Sequence, residues 1–332
     1  HNLLGKPLVW CPQQVEAWYN KGLSLNNHAK YEEAIQAFDE AIRLNPEYVD
    51  AWYSKGNALD SQSRYDEAIQ AYDEVIKLNP EYADAWNSKG TAFNSQGRYN
   101  EAIKAFDEAI RRNPEYADAW NNKGVALVSL DKYEEAIQAF DEATRLNPED
   151  ADAWLKKGVA FYHLGKYKET IQVCNVSIQA YDDDLRWNPE DANARLSKGI
   201  ALMLKGLALE TLDKYEDAVQ AYDEAISLNP DDVAAWENRG AALYSLGKYD
   251  EAVQAYDEVL RLNPEDANAW KKKGYALHSL EEHEESVKAL DEAIRLNPND
   301  AGCWLIKSFN LLIIEKYDEA INASEEAIRA LQ

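Results

Sequence analysis

The fold is decided by a stretch that recurs along the chain and that reads, at residues 49–82, VDAWYSKGNALDSQSRYDEAIQAYDEVIKLNPEY. Trp52, Gly56 and Leu59 fall at helical spacing, which predicts one packed stripe along a first helix. A second stripe follows on a second helix and comprises Tyr65, Ala68, Ile69, Tyr72, Val75 and Ile76. Pro80 then interrupts the helix. The stretch therefore predicts one helix–turn–helix unit.

The same landmarks return along the chain with a period of 34 residues. The tryptophans of this series are Trp18, Trp52, Trp86, Trp120, Trp154, Trp236, Trp270 and Trp304. A small residue stands four positions after each of them, glycine in all cases except Ser308. A single helical hairpin cannot bury its own stripes, so the pattern predicts hairpins that stack on their neighbours.

This pattern resembles the tetratricopeptide repeat family, whose repeat has Trp, Leu-Gly, Ala, an aromatic residue and Pro at a period of about 34 residues. Trp52, Gly56, Ala68, Tyr72 and Pro80 match it. The resemblance implies an all-α fold, a right-handed α-solenoid of nine helix–turn–helix units. One departure is systematic, because Lys or Arg replaces the leucine before the glycine. We expect this base to lay its methylenes on the packed surface and leave its charge in water.

The repeat register predicts the domain organisation. Residues 1–14 form an N-terminal segment, either the tail of a preceding repeat or a processed end, and residues 15–332 form the array. The nine repeats are expected at 15–48, 49–82, 83–116, 117–150, 151–191, 192–232, 233–266, 267–300 and 301–332.

The period breaks once, between Trp154 and Trp236, which lie 82 residues apart, or two periods plus 14 residues. Landmark spacing divides this excess into seven residues in the second helix of unit five and seven in the first helix of unit six. Because seven residues are nearly two helical turns, the two helices keep their apolar faces aligned. We expect a taller hairpin projecting around Leu185, Trp187 and Pro189. It is either a partner contact or kink in the superhelix, or a neutral duplication.

Composition excludes several functions. The net charge of −25 repels the phosphate backbone, so nucleic acid is not an expected partner. No apolar run approaches the roughly 18 residues that cross a bilayer, and no secretory signal is present, so membrane insertion is not expected. The chain does not begin with Met and can be processed or cut from a longer protein. We expect a cytoplasmic location.

No recognisable chemistry emerges from the sequence. Cys11, Cys174 and Cys303 form no CxxC pair, so we expect small apolar residues and neither disulfide nor zinc site. The histidines fit no catalytic motif, and no phosphate-binding glycine loop occurs. Acid pairs recur on exposed helix faces, where Asp39 and Arg43 are expected to form a solvated i,i+4 pair. The sequence predicts no enzyme, no catalytic or metal-binding residue and no cofactor.

The family resemblance implies that partners bind the concave groove, which first helices line. Counting from each tryptophan gives a partner-binding row of Tyr19, Asn20, Tyr53, Asn57, Asn87, Thr91, Asn121, Asn122, Leu155 and Tyr162. Amide and hydroxyl groups can both donate to and accept from a peptide main chain. We therefore expect this row to hold an extended or helical segment of a protein or peptide.

The carboxy-terminal part of the groove differs in character. Lys271 and Tyr275 precede Leu305, Phe309 and Leu312, which fall at i, i+4 and i+7 on one helix. Such an apolar stripe marks a partner site, a self-association surface or a contact with a missing capping helix. Alternatively, Phe309 and its neighbours pack inside the last unit.

The sequence thus favours a protein–protein interaction scaffold that binds a peptide or protein segment in its groove. The alternatives are a self-associating assembly protein, which forms homo-oligomers through its terminal repeats or long hairpin, and a regulatory array cut from a larger protein. The partner's identity does not follow from the sequence, because specificity depends on a few groove side chains.

Overall fold

The computed structural model describes residues 12–331, and these residues contain eighteen α-helices and no strand. The first helices of successive hairpins are α1 Pro12–Asn27, α3 Val49–Ser61, α5 Ala83–Ser95, α7 Ala117–Val128, α9 Ala151–His163, α11 Ala192–Thr211, α13 Val233–Ser245, α15 Ala267–Ser279 and α17 Ala301–Ile313. The second helices are α2 Tyr31–Leu44, α4 Tyr65–Leu78, α6 Tyr99–Arg112, α8 Tyr133–Leu146, α10 Tyr167–Trp187, α12 Tyr215–Leu228, α14 Tyr249–Leu262, α16 His283–Leu296 and α18 Tyr317–Ala330. Cys11 and most of the predicted N-terminal segment lie outside the described residues.

The helices belong to two units, residues 1–160 (unit 1) and 161–332 (unit 2), and the division falls inside α9. Within unit 1, consecutive helices from α1 to α8 pack against each other, and within unit 2 the same holds from α10 to α18. In unit 1 each first helix also touches the next first helix, α1 on α3, α3 on α5 and α5 on α7. Each unit is thus a stack of hairpins, which confirms the predicted all-α solenoid fold.

Two different devices end the helices. The second helices from α2 to α16 stop at an Asn-Pro pair, where Asn79 takes φ −138° and ψ 89° because the following proline ring disfavours the helical conformation. First helices are followed by a left-handed residue, which is Gly97 at φ +73° after α5 and Ser63 at φ +60° after α3. These local conformations fix the turns, so the period of the sequence becomes the period of the stack.

A glycine on the first helix lets a ring on the second helix lie directly against its backbone. A Cβ atom built on Gly56 would lie 2.5 Å from a ring carbon of Tyr72, and one on Gly124 would lie 2.6 Å from Phe140. Both rings are buried. The contact recurs at Gly22, Gly90, Gly206 and Gly240, while Leu290 takes the ring's place at Gly274. The predicted role of small residues in close helix packing is confirmed.

Each tryptophan of this series from Trp52 onward ties its first helix to the preceding turn. Trp52 donates its indole N–H to the carbonyl oxygen of Pro46 at 3.0 Å, and the bond from Trp120 to Pro114 measures 3.1 Å. The half-buried ring of Trp52 also packs against a cluster that includes Ala41 and Ile42 of the previous hairpin. The predicted role of these rings in joining successive hairpins is confirmed.

We expected the base that replaces the family's leucine to leave its charge in water. This expectation is wrong, because the charge is paired with an aspartate. The ammonium of Lys89 lies 2.5 Å from an oxygen of Asp73 on the preceding second helix and 5.4 Å from the ring centre of Trp86. The same ion pair joins Lys55 to Asp39, Lys123 to Asp107, Lys157 to Asp141, Lys198 to Asp182, Arg239 to Asp223, Lys273 to Asp257 and Lys307 to Asp291. We call this repeated contact the base–Asp clamp.

The clamp also corrects the pair predicted between Asp39 and Arg43. Asp39 faces the next hairpin and binds Lys55 at 2.6 Å, whereas Arg43 pairs with Glu40 at 2.8 Å on its own helix. The i,i+4 spacing predicted the wrong partner for Asp39, because it considers one helix only and the lysine that binds Asp39 lies on the neighbouring hairpin.

The long hairpin has the lengths that the sequence spacing predicts. Helix α10 has 21 residues and α11 has 20, against 14 in α12 and 13 in α13. Two glycines lie seven residues apart in α11, and they are not equivalent. Gly206 meets the ring of Tyr222, whereas nothing lies within 4 Å of a Cβ built on Gly199. At the turn, Trp187 is 90% exposed, and the projection of the hairpin stays a prediction.

The two glycines of α11 provide a matched test of the ring contact. We expect Gly206→Ala to lower the free energy of unfolding by about 1–2 kcal/mol, because the new methyl overlaps the Tyr222 ring by more than the gain in helix propensity offsets. Gly199→Ala should raise it by up to about 1 kcal/mol, since the same propensity gain meets open space. Urea unfolding followed by circular dichroism measures both. Equal effects at the two positions would contradict the assignment.

The base–Asp clamp is tested by a double-mutant cycle on Lys89 and Asp73. We expect a coupling free energy of about 0.5–1 kcal/mol that shrinks in molar NaCl, because the lysine is largely shielded and lies on a ring. The control cycle uses Lys77 and Glu74, an exposed pair within one helix, where about 0.3 kcal/mol is expected. A clamp coupling no larger than that of the control pair would show that the clamp does not stabilise the stack.

Candidate functional site

The candidate site is the surface that the first helices of unit 1 share. We define the first-helix face of unit 1 by the residues of α1, α3, α5 and α7 that lie two positions before Trp18, Trp52, Trp86 or Trp120 and one, two, five and eight positions after it. These residues are Glu16, Tyr19, Asn20, Leu23, Asn26, Asp50, Tyr53, Ser54, Asn57, Asp60, Asp84, Asn87, Ser88, Thr91, Asn94, Asp118, Asn121, Asn122, Val125 and Val128. Most of them are polar and half-buried.

Polar side chains link each first helix of unit 1 to the next. The hydroxyl of Ser54 donates to Tyr19 at 3.4 Å, and the hydroxyls of Tyr53 and Ser88 share a hydrogen bond of 3.1 Å. One repeat further, the amide of Asn122 donates to the side-chain oxygen of Asn87 at 3.1 Å. The structure therefore brings four of the predicted residues, Tyr19, Tyr53, Asn87 and Asn122, into one continuous polar row.

Tyrosines from the turns between hairpins extend this row, and the sequence analysis missed them. The ring of Tyr48 lies 5.1 Å from that of Tyr19, and the ring of Tyr82 lies 5.2 Å from that of Tyr53. The hydroxyl of Tyr116 lies 3.5 Å from the amide of Asn87, which donates to it. Their signal was present, since Pro-Glu-Tyr recurs at a 34-residue spacing in three successive turns.

Burial and nearby carboxylates perturb these turn tyrosines. The pKa of Tyr82 is raised to about 12, chiefly by burial. The phenol of Tyr53 and the carboxylates of Asp84 and Asp50 raise it further. The pKa of Tyr116 is also raised, first by burial and then by Asp84. Each phenol is therefore a neutral hydrogen-bonding group at physiological pH, beside a charged carboxylate.

Several acceptors on this face have no hydrogen-bond donor among residues 12–331. The Oδ1 atoms of Asn26, Asp60 and Asn94, which occupy the same position in three successive repeats, are fully buried and accept no hydrogen bond. The Oδ1 atom of Asn121 is in the same condition. Burial also raises the pKa of Asp60. A buried acceptor without a donor costs about 1–3 kcal/mol, so a repeated row of them is a feature of this face that packing does not explain.

The other predicted residues of the row occupy varied positions. Asn20 is exposed, Asn57 accepts a hydrogen bond of 2.8 Å from the buried Tyr72, and Thr91 bonds back to the carbonyl of its own helix at 3.1 Å. Leu155 is 6% exposed and does not present a free surface. Tyr162 belongs to unit 2, where its ring lies against Tyr167.

The first helices of unit 2 carry bases that are already paired. Lys271 lies 2.8 Å from Asp300, which holds the pKa of the lysine above its usual value. Lys272 lies 2.7 Å from Glu237 of the preceding first helix. The ring of Tyr275 is half-buried beside Lys271. The charges of Lys271 and Lys272 are therefore compensated by acids of unit 2.

The apolar stripe on α17 is open. Leu305 is 49% exposed, Phe309 is 52% exposed and Leu312 is 48% exposed, so these side chains do not pack inside the last unit. The ring of Phe309 meets the edge of His278 at 5.4 Å. Beneath them, Asn310 is fully buried, and its side-chain oxygen lies 2.6 Å from a ring nitrogen of His278.

Residues 12–331 contain neither a bilayer-crossing helix nor a cluster of metal-binding side chains. None of the helices there combines the length and apolar character needed to cross a bilayer. No group of three or more His, Cys, Asp or Glu side chains in that range is placed to hold a metal ion. Burial raises the pKa of both Cys174 and Cys303 to about 12, so these thiols stay protonated.

Comparison with solved structures finds repeat proteins of the same architecture. PilF of Pseudomonas aeruginosa is 18% identical, covering 69% of this chain and 98% of its own, with a TM-score of 0.55. YrrB, a TPR protein with an unusual peptide-binding site, is 24% identical, covering 60% of this chain and 96% of its own, with a TM-score of 0.49. At these identities the likeness shows the fold alone. Comparison with curated proteins gives no match.

Family assignment comes from the sequence model of the tetratricopeptide repeat. It matches residues 3–49, 19–83, 53–110, 88–143, 126–185, 203–264 and 242–301. The matches reach into both units and include the Trp, Gly, aromatic and Pro positions whose contacts hold the hairpins together. The chain therefore belongs to the tetratricopeptide repeat family.

Proposed function

We propose that the protein is an interaction scaffold whose first-helix face in unit 1 holds an extended segment of another protein. Members of the tetratricopeptide repeat family are in general non-catalytic scaffolds for protein interactions. The observation that carries the proposal is the row of unpaired acceptors at Asn26, Asp60, Asn94 and Asn121. A small rotation of each side chain towards the face would let its oxygen accept from a peptide N–H group.

The rest of the face supports the same ligand. Amides and hydroxyls of Asn87, Asn122, Tyr53 and Ser88 already bond from one first helix to the next, so their orientation is fixed before a partner arrives. A face ordered in advance loses less conformational entropy on binding. The main chain of any sequence could use such groups, while the tyrosine rings offer apolar contact area at small entropic cost.

The test removes two unpaired acceptors, in the variant Asn94→Ala/Asn121→Ala. We expect capture of partner protein from native lysate to fall at least about tenfold, because two ligand hydrogen bonds are lost. The free energy of unfolding should stay constant or rise, since neither oxygen accepts a hydrogen bond from the part of the chain that the structure describes. The control is Asn100→Ala on the exposed surface of α6. Unchanged capture by the double variant would overturn the proposal.

A second function is favoured by one observation, the open stripe of Leu305, Phe309 and Leu312 on α17. Three half-exposed apolar side chains at helical spacing suit association with a second copy of this chain. We propose this self-association as an alternative to, or an addition to, partner binding in unit 1.

Light scattering across a range of protein concentrations tests the second function. We expect the wild-type mass to rise with concentration and Leu305→Ser/Phe309→Ser to remain a monomer, because the variant removes the apolar area. Leu196→Ser, which alters another exposed leucine in unit 2, serves as control. A wild-type chain that stays monomeric at high concentration would eliminate self-association.

A further inference from the structure

The first-helix face of unit 1 carries acidic groups that no base within residues 12–331 pairs with. Glu16, Asp50, Asp84 and Asp118 stand two residues before successive tryptophans, and Asp60 lies on the same face. None of the twenty residues of this face, all of them described by the structure, is Lys, Arg or His, whereas the next first helix, α9, carries the pair Lys156–Asp152 at 2.6 Å. None of the five acids forms an ion pair within residues 12–331.

Among the described residues, unpaired acids also occur in the turns of unit 1, at Glu47, Glu81 and Glu115, but other helix surfaces carry bases beside their acids. On the second helices of unit 1, Glu40 pairs with Arg43, Glu74 with Lys77 and Glu108 with Arg111. On the first helices of unit 2, the bases Lys271 and Lys272 pair with Asp300 and Glu237. The first-helix face of unit 1 therefore differs from these two surfaces in carrying carboxylates and no base.

Tyrosine rings accompany these carboxylates along the face. Glu16 and Asp50 lie near the phenol of Tyr48, whose pKa is raised by burial first and then by Tyr19 and these two acids. Asp50 and Asp84 likewise lie near the phenol of Tyr82 and raise its pKa. A Lys or Arg side chain can lay its methylenes on such a ring, place its charge over the ring and reach the neighbouring carboxylate. The same two elements, a ring and an acid, are therefore repeated from hairpin to hairpin.

We propose that the segment held by this face is an extended basic peptide with Lys or Arg at about every third position. The spacing follows from two dimensions, since packed helices lie roughly 8–10 Å apart and an extended chain advances about 3.3 Å per residue. The inference rests on the proposed function and adds the chemistry of the partner. Like-charge repulsion turns away acidic peptides from the same face.

Synthetic peptides test the charge and the spacing. The first has Lys-Gly-Ser repeated four times, the second has Gln and the third has Glu in place of Lys, and a fourth collects the four lysines in one block. We expect fluorescence anisotropy to show the spaced lysine peptide binding at least about tenfold more tightly than the glutamine peptide, with no binding of the glutamate peptide. Added NaCl should weaken the lysine peptide's binding most.

Matched triple variants assign the attraction to this face. Asp50→Asn/Asp84→Asn/Asp118→Asn should weaken the spaced lysine peptide at least about tenfold, because three carboxylates on the face are lost. Glu33→Gln/Glu67→Gln/Glu101→Gln removes three charges from the exposed surface of the second helices and should change affinity less than about twofold. Circular dichroism confirms that both variants fold.

Each contrary result has a distinct meaning. Equal weakening by the two triple variants would overturn the proposal, because net charge and not the face would then attract the peptide. Equal binding of the lysine and glutamine peptides would also overturn it, while leaving the proposed peptide-holding function intact. Equal binding of the spaced and blocked lysine peptides would overturn the spacing. No binding of any peptide at millimolar concentration would contradict both the inference and the proposed function.

Discussion

The structure depends on one repeated contact, an aromatic ring of the second helix lying on a glycine of the first. The contact requires both partners, since a Cβ at Gly56 would overlap the ring of Tyr72, which is 1% exposed. The last hairpin has neither residue of this contact, since Ser308 stands at the glycine position and Ser324 stands at the ring position. Both partners have changed there, as expected if a side chain is tolerated only where no ring needs the space.

Because this contact and the base–Asp clamp use the inward and neighbouring surfaces of each hairpin, the first-helix face of unit 1 is left free for other chemistry. Tyr19, Leu23 and Tyr53 pack against the core, while polar residues of the face are ordered by bonds such as that between Asn87 and Asn122. The same positions in unit 2 hold the Lys272–Glu237 pair, which neutralises itself. One repeated scaffold thus presents an acidic, tyrosine-rich surface in one unit and an internally paired surface in the other.

The sequence predicted what depends on local periodicity: the helices, the hairpins, the close approach at glycine and the seven-residue additions in α10 and α11. It did not predict contacts that join distant positions. The partner of Lys89 is Asp73, sixteen residues earlier on another helix, and helical spacing alone cannot show that they meet. Leu155 was counted into the groove from its distance to Trp154, although its neighbours bury it. Tyr48, Tyr82 and Tyr116 lie in turns, outside the helical positions from which the row was counted.

The most direct test of the account is a double-mutant cycle at Gly56 and Tyr72 of the second hairpin. It replaces both residues by serine, the residue that the last hairpin has at the two equivalent positions. We expect Gly56→Ser alone to lower the free energy of unfolding by about 1–3 kcal/mol, because its side chain overlaps the Tyr72 ring. In the Tyr72→Ser background the same change should cost little, which gives a coupling free energy of at least about 1 kcal/mol. Additive effects of the two substitutions would contradict the claim that the ring and the glycine form one interdependent contact.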